Sequence, residues 1–153
     1  MNKFGSLFIL IAFISSTCSK EDNPEILTSV ADFYKYCSTD NNNSCGELLN
    51  HENQYVTMIG YINVKYIEPY YNFFQLFDSM TMESNFLVIF VNPDVNVIFD
   101  KLKKNIDTLN LEKFTKIKVT GKIIGSNALY VNEGCRRNPS FEVDNPNAIS
   151  FIY

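Results

Sequence analysis

Val56-Thr57-Met58-Ile59-Gly60-Tyr61-Ile62 and Ile117-Lys118-Val119-Thr120-Gly121-Lys122-Ile123 are the two stretches that decide the fold class. In the first, Val56, Met58, Gly60, Ile62 and Val64 alternate with Thr57, Ile59, Tyr61, Asn63 and Lys65. In the second, Ile117, Val119, Gly121 and Ile123 alternate with Lys116, Lys118, Thr120 and Lys122. A two-residue period with one apolar side is the pattern of a strand that buries one face. Each stretch also carries a Gly four residues after a β-branched residue. A long strand that coils sharply crowds its inner side, and Gly relieves that crowding.

The rest of the chain arranges itself around these strands. Phe73 to Asp78 reads as a second strand, and Asn85 to Asn92 as a third, apolar enough to be buried on both faces. Pro93-Asp94 breaks it. Val95, Ile98, Phe99, Leu102 and Ile106 then recur at helical spacing, with Lys101, Lys103 and Lys104 off the stripe. Phe114 to Ile124 returns to β. Gly125-Ser126-Asn127 has turn chemistry, Leu129-Tyr130-Val131 reads as a short arm, and Ala148 to Tyr153 as a last strand. Upstream, Leu27 to Tyr36 carries a helix signal. Ser29 and Asp32 suit its N-terminus, and Val30, Phe33 and Cys37 share one face. Gly46 to Glu52 is a turn or short helix. The supply of 13 Phe and 9 Tyr, with no Trp, also favours strands.

The order helix, three strands, helix, two strands resembles the oligonucleotide/oligosaccharide-binding (OB) plan. The expected class is mainly β with α+β content. It is a five-stranded OB-fold-like barrel with a helix between strands 3 and 4 and an N-terminal helix. The resemblance covers about residues 46–153 and rests on element order and on Gly60 and Gly121. A strand-helix-strand α+β sandwich gives similar spacing.

The N-terminus carries a different message. Met1-Asn2-Lys3 precedes a mainly apolar run from Phe4 to Ile14, then Ser15-Ser16-Thr17-Cys18. This is the anatomy of an export signal, too short to span a bilayer as a helix. A Cys directly after the small residues resembles the lipobox of bacterial lipoproteins, although Thr17 and Ser15 depart from its usual residues. The resemblance implies a signal over 1–17, acylation of Cys18, a tether over 18–26 and a domain over 27–153. The competing reading is a signal for secretion of a soluble protein. Ser19-Lys20-Glu21-Asp22-Asn23-Pro24 is charged and closed by Pro, as suits an extended tether. Its acidic pair resembles the surface-export signal of lipoproteins from the Bacteroides group. That implies a bacterial outer-membrane or cell-surface location, lipid-anchored. Asp78-Ser79-Met80 and Asp107-Thr108-Leu109 resemble the O-glycosylation pattern of the same group.

Beyond Cys18 there are three further cysteines. Cys37 and Cys45 flank a polar, turn-forming run and are the expected disulfide; Cys135 could instead reach either of them. No C-x-x-C or His cluster offers a metal site, and no cofactor motif is present. The single His51 lies in a polar turn without an evident orienting partner, so no catalytic residues are expected. The net charge of −4 counts against nucleic acid as a partner. Seven Lys between Val95 and Ile124 form a local basic stripe, read first as a solvated face.

If the OB resemblance holds, ligands meet the face of strands two and three and the adjoining loops. Those regions hold Tyr61, Lys65, Phe73, Gln75 and Phe77, with Tyr66, Tyr70, Tyr71, Arg136 and Arg137 as the exposed candidates. Phe74, Leu76 and most other Phe are expected in the core. The implied role is a non-catalytic binding or accessory module of the cell envelope, with a protein or glycan partner and a membrane reached through lipid. The alternatives are a single-stranded nucleic-acid-binding OB domain and, with less support, an envelope enzyme.

Overall fold

The computed structural model describes residues 23–38, 44–81, 83–92, 97–106, 110, 113–131 and 134–153. The signal, Cys18, Glu21, Asp22 and Asp107-Thr108-Leu109 lie outside the described residues. The elements are β1 (Glu25–Leu27), α1 (Val30–Cys37), β2 (Tyr55–Ile62), β3 (Ile67–Glu68), β4 (Phe73–Phe77), β5 (Phe86–Val91), α2 (Val97–Asn105), β6 (Thr115–Tyr130), β7 (Gly134–Val143) and β8 (Ile149–Phe151). The described residues are mainly β, with two short α-helices among them.

The strand pairings return to their starting point. β2 pairs with β4, β4 with β5, β5 with β7, β7 with β6, and β6 with β2. Only β5–β7 is parallel in this circuit. β1 adds to β2 in parallel, β3 to β4, and β8 to β6. In chain order, α2 falls between β5 and β6.

The alternation read from the sequence fills the core. Val56, Met58 and Ile62 of β2 and Ile117, Val119 and Ile123 of β6 are fully buried. They meet Phe74, Leu76, Leu87, Ile89, Phe141 and Val143, with Ile98, Phe99 and Leu102 supplied by α2. Thr57 is buried on the other side of β2, where its hydroxyl lies 2.8 Å from that of Thr120. The two glycines sit where the neighbouring strand leaves no room for a side chain. A Cβ on Gly60 would lie 2.7 Å from Leu76 Cγ and from the Phe77 carbonyl oxygen; on Gly121, 2.5 Å from the Glu142 carbonyl oxygen.

α1 begins as its residues dictate. Ser29 Oγ accepts from the Asp32 amide at 2.9 Å, and Asp78 Oδ1 accepts from the Val30 amide at 2.6 Å. Two of the donors left unsatisfied at a helix N-terminus are thus occupied, one by a carboxylate that favours that end. Val30, Phe33 and Cys37 face inward, with the Phe33 and Phe141 rings 5.9 Å apart.

Four expectations are corrected. Gly125-Ser126-Asn127 is no turn: β6 runs through it, because each of these residues has a partner in β7, Pro139, Asn138 and Arg137. The chain reverses between Tyr130 and Gly134 instead, with Gly134 at φ 81°. The fifth strand of the circuit is β7, whereas Ile149–Phe151 is an added strand on β6. Glu25 and Ile26, expected in the tether, belong to β1. The third strand buries one face only, since Leu87, Ile89 and Val91 are inside and Phe86 and Phe90 outside.

Candidate ligand-binding face

The alternation of β4 and β5 sends Phe74, Leu76, Leu87 and Ile89 inward, so Phe73, Gln75, Phe77, Phe86, Val88 and Phe90 form the outer surface. Register brings them together in cross-strand pairs: Phe73 beside Phe90, Gln75 beside Val88, Phe77 beside Phe86. The Phe73 and Phe90 rings are 6.4 Å apart and the Phe77 and Phe86 rings 5.8 Å apart. Phe86 is 47% and Phe90 38% exposed, open enough for a ligand to rest on. Phe77 is buried beneath its neighbours, with Tyr66 and Phe114 meeting its ring edge-on at 5.2 and 5.4 Å.

The tyrosine loop extends this surface. Pro69–Tyr71 forms a 3-10 turn that ends at Asn72, whose φ of 54° and ψ of 42° are left-handed, a conformation Asn tolerates. Tyr71 is exposed and lies over Phe73, ring centroids 6.0 Å apart and planes 27° from parallel. Tyr70 is exposed beside it. Tyr66 is half-buried and packs on Phe77, so it acts more as support than as contact. At one end carboxylates adjoin the strip, Glu68 paired with Phe73 and Glu142 with Phe90, and Lys122 follows opposite Glu142. Further round, Lys116 Nζ lies 5.7 Å from the centroid of the Tyr61 ring. A cleft of about 450 Å³ between α1 and the β4–β5 turn borders Phe86, lined also by Val30, Ala31, Tyr34, Ser84 and Asn85.

Arg136 and Arg137 stand elsewhere, on the arm formed where β6 and β7 continue past the circuit. Arg137 is committed internally: Nε donates to Glu52 Oε2 at 2.9 Å, Nη2 donates to Glu52 Oε1, and Nη1 donates to Asn127 Oδ1 at 3.0 Å. The bidentate guanidinium holds the Glu52 carboxyl below the usual carboxylate range and raises its own pKa. Arg137 therefore braces the arm. Arg136 lies over the Tyr130 ring at 5.9 Å.

The disulfide is also corrected. Cys45 is bonded to Cys135, with Cα atoms 5.4 Å apart, and Cys37 is a free, buried thiol. Cys37 occupies the inward face of α1, and burial pushes its pKa up to about 12. A side chain directed into the core cannot meet Cys45 on the surface turn. His51 stacks on Tyr36 at 3.9 Å and its Nδ1 lies 3.1 Å from Gln54 Oε1. Lys101 of the basic stripe donates to the carbonyls of Pro146 and Ile149 at 3.2 and 2.6 Å, tying α2 to the approach to β8. Among the described residues there is no cluster of three or more His, Cys, Asp or Glu able to hold a metal. No helix among them is long and apolar enough to cross a membrane.

The sequence pointed to the tyrosine loop and to Phe73, but not to Phe86 and Phe90, which sit in an unbroken apolar run. The Asn residues bounding that run fix its ends but not which of its faces is covered.

No family model matches the chain, and no curated protein does. Among solved structures, it is similar to that of the mitochondrial single-stranded DNA binding protein Rim1 from S. cerevisiae. The identity is 12% and the TM-score 0.45, over 66% of this chain and 95% of that one.

Proposed function

We propose that this chain is a non-catalytic, OB-type binding module of a bacterial cell envelope, anchored by lipid on Cys18, with the outer face of β4 and β5 as its ligand surface. The barrel reading is supported by the five-strand circuit and by the place of α2 after its third member, β5. The anchor reading rests on the export signal and the Cys that ends it.

The single observation that carries the binding role is the aromatic strip of Tyr71, Phe73, Phe86 and Phe90, with Phe73 half-buried and the other three exposed, bounded at one end by Glu68 and Glu142. Large rings held rigidly by cross-strand packing offer flat apolar area at little entropic cost. Carboxylates at the rim repel polyanions, so the face suits a neutral glycan or a protein surface. A second reading, single-stranded nucleic acid, draws on the same rings and on Lys116, Lys118 and Lys122 along β6.

Titration of a Cys18→Ala chain with neutral envelope oligosaccharides, and with oligothymidylate at low and high salt, separates the two. The expected result is salt-insensitive binding to the former, weakened at least about tenfold by Phe86→Ser with Phe90→Ser. The binding proposal fails if the doubly substituted chain, melting like the parent, binds as well as it does. Steeply salt-dependent binding to oligothymidylate alone establishes the second reading. Intact mass and membrane partitioning of the native chain beside Cys18→Ala test the anchor: an unacylated, soluble native chain removes it.

A further inference from the structure

Two segments leave the strand circuit past the same end. β1 runs parallel to β2 with Glu25 beside Val56, so the chain upstream of Glu25 departs past Tyr55. β6 runs antiparallel to β2 with Lys122 beside Tyr55, so its continuation into the arm departs past Tyr55 as well. Asn23 and Pro24 share a cleft with Tyr36, Gln54 and Tyr55, and the Gln54 carbonyl accepts from the Ile123 amide at 2.9 Å, at the root of the arm. Only the single strand β2 separates the two departures.

Their lengths agree. Seven residues from Glu25 back to Cys18 extend at most about 25 Å. The eight residue steps from Lys122 to Tyr130 have a contour of about 27 Å along the strand. Just ahead of Asn132-Glu133 in the sequence the arm carries open apolar side chains: Leu129 is 84% and Val131 89% exposed, and between them Tyr130 lies against the Arg136 guanidinium. The arm is also braced. Cys135 is bonded to Cys45, Arg137 is paired with Glu52, and Ser44 bridges to Arg136.

We propose that Leu129, Tyr130 and Val131 are a membrane contact, seated in the headgroup–acyl boundary of the bilayer that holds Cys18. The proposal rests on the lipid-anchor reading above. Its chemistry is that of an interfacial site: two aliphatic side chains to enter the acyl edge and a Tyr whose ring suits headgroup depth. A tether no longer than the arm keeps the bilayer within reach of the tip. The bracing fixes the angle between bilayer and barrel, so the β4–β5 face is held in one orientation rather than swinging on the tether.

The chain has no Trp, so Tyr130→Trp gives a single fluorescent reporter. The acylated full chain carrying it is placed on vesicles of phosphatidylethanolamine and phosphatidylglycerol. The expected result is blue-shifted emission, quenched by lipids brominated near the glycerol end of their acyl chains. Adding Leu129→Asp and Val131→Asp returns the emission to that of a water-exposed indole, with the melting temperature unchanged. Vesicle-bound, acylated protein with water-like emission overturns the arm contact and leaves the anchor standing. A chain that is neither acylated nor vesicle-bound overturns the anchor, and this proposal with it. A blue shift already present without vesicles and lost on dilution assigns the tip to contact between copies of the chain, and also overturns it.

Discussion

Arg137 shows how a residue's partner decides its role. Its position on a loop-like stretch of basic and polar residues suggested a ligand contact, because nothing local reveals a carboxylate 85 positions upstream. The fold brings Glu52 to it, and the pair becomes a brace. The guanidinium beside it makes the Glu52 carboxyl titrate below its ordinary value when folded. The pair's contribution is therefore complete above the unfolded value and is lost as pH falls through the lower folded one. Replacing Glu52 by Gln should flatten the loss of stability on acidification below about pH 4 relative to the native chain, measured by denaturant titration at several pH values. Equal slopes for the two chains would show that the pair is energetically silent. Cys37 and Ser29 were more legible, since both lie on a short amphipathic helix whose spacing and cap are local matters. The spacing that put Cys37 on the apolar face of α1 also argued against pairing it with Cys45, and proximity in sequence was the poorer guide.

Among the elements, β2 and β6 could be read directly because each turns one fully buried apolar face inward and a mixed, mostly less buried face outward, and alternation records that asymmetry. β7 could not. Gly134-Cys135-Arg136-Arg137-Asn138-Pro139-Ser140 has no alternation and contains a Pro, and only Phe141 and Val143 reach the core. Its strand character comes from pairing with β6, a tertiary cause that overrides the turn chemistry of Gly125-Ser126-Asn127. The proposed ligand face lay partly hidden for a related reason: in β5 both faces are apolar, and composition cannot tell a covered face from one kept open. Gly121 belongs to this scale because its role is set by the strand beside it. A methyl group there meets the Glu142 carbonyl and the Phe141 ring. Gly121→Ala should cost about 1–3 kcal/mol in urea unfolding, while Ala at the exposed Ser126 of the same strand stays within about 0.5 kcal/mol. Equal stability for Gly121→Ala would mean that β6 and β7 separate there at no cost.

At the scale of the whole molecule, the Cys45–Cys135 bond joins positions 90 residues apart and encloses β2 through β6 in one covalent ring. A ring of that size removes a large share of the freedom of the unfolded chain, so Cys45→Ser should lower stability by about 2–5 kcal/mol. In the Cys18→Ala chain a thiol reagent should find no group while the protein is folded and one, Cys37, after unfolding. Rapid labelling of the folded chain would place Cys37 outside the core. β1 and β8 lie outside the ring, and β1 carries a consequence of another kind. Its bonds to β2 run across the direction in which the upstream chain departs, so a pull applied ahead of Asn23 loads them in shear. Bonds loaded in shear yield together rather than one by one, and behind them Val30, Phe33 and Cys37 must leave the core before α1 can follow. Whatever holds the upstream end of this chain therefore grips it at a point that resists being peeled.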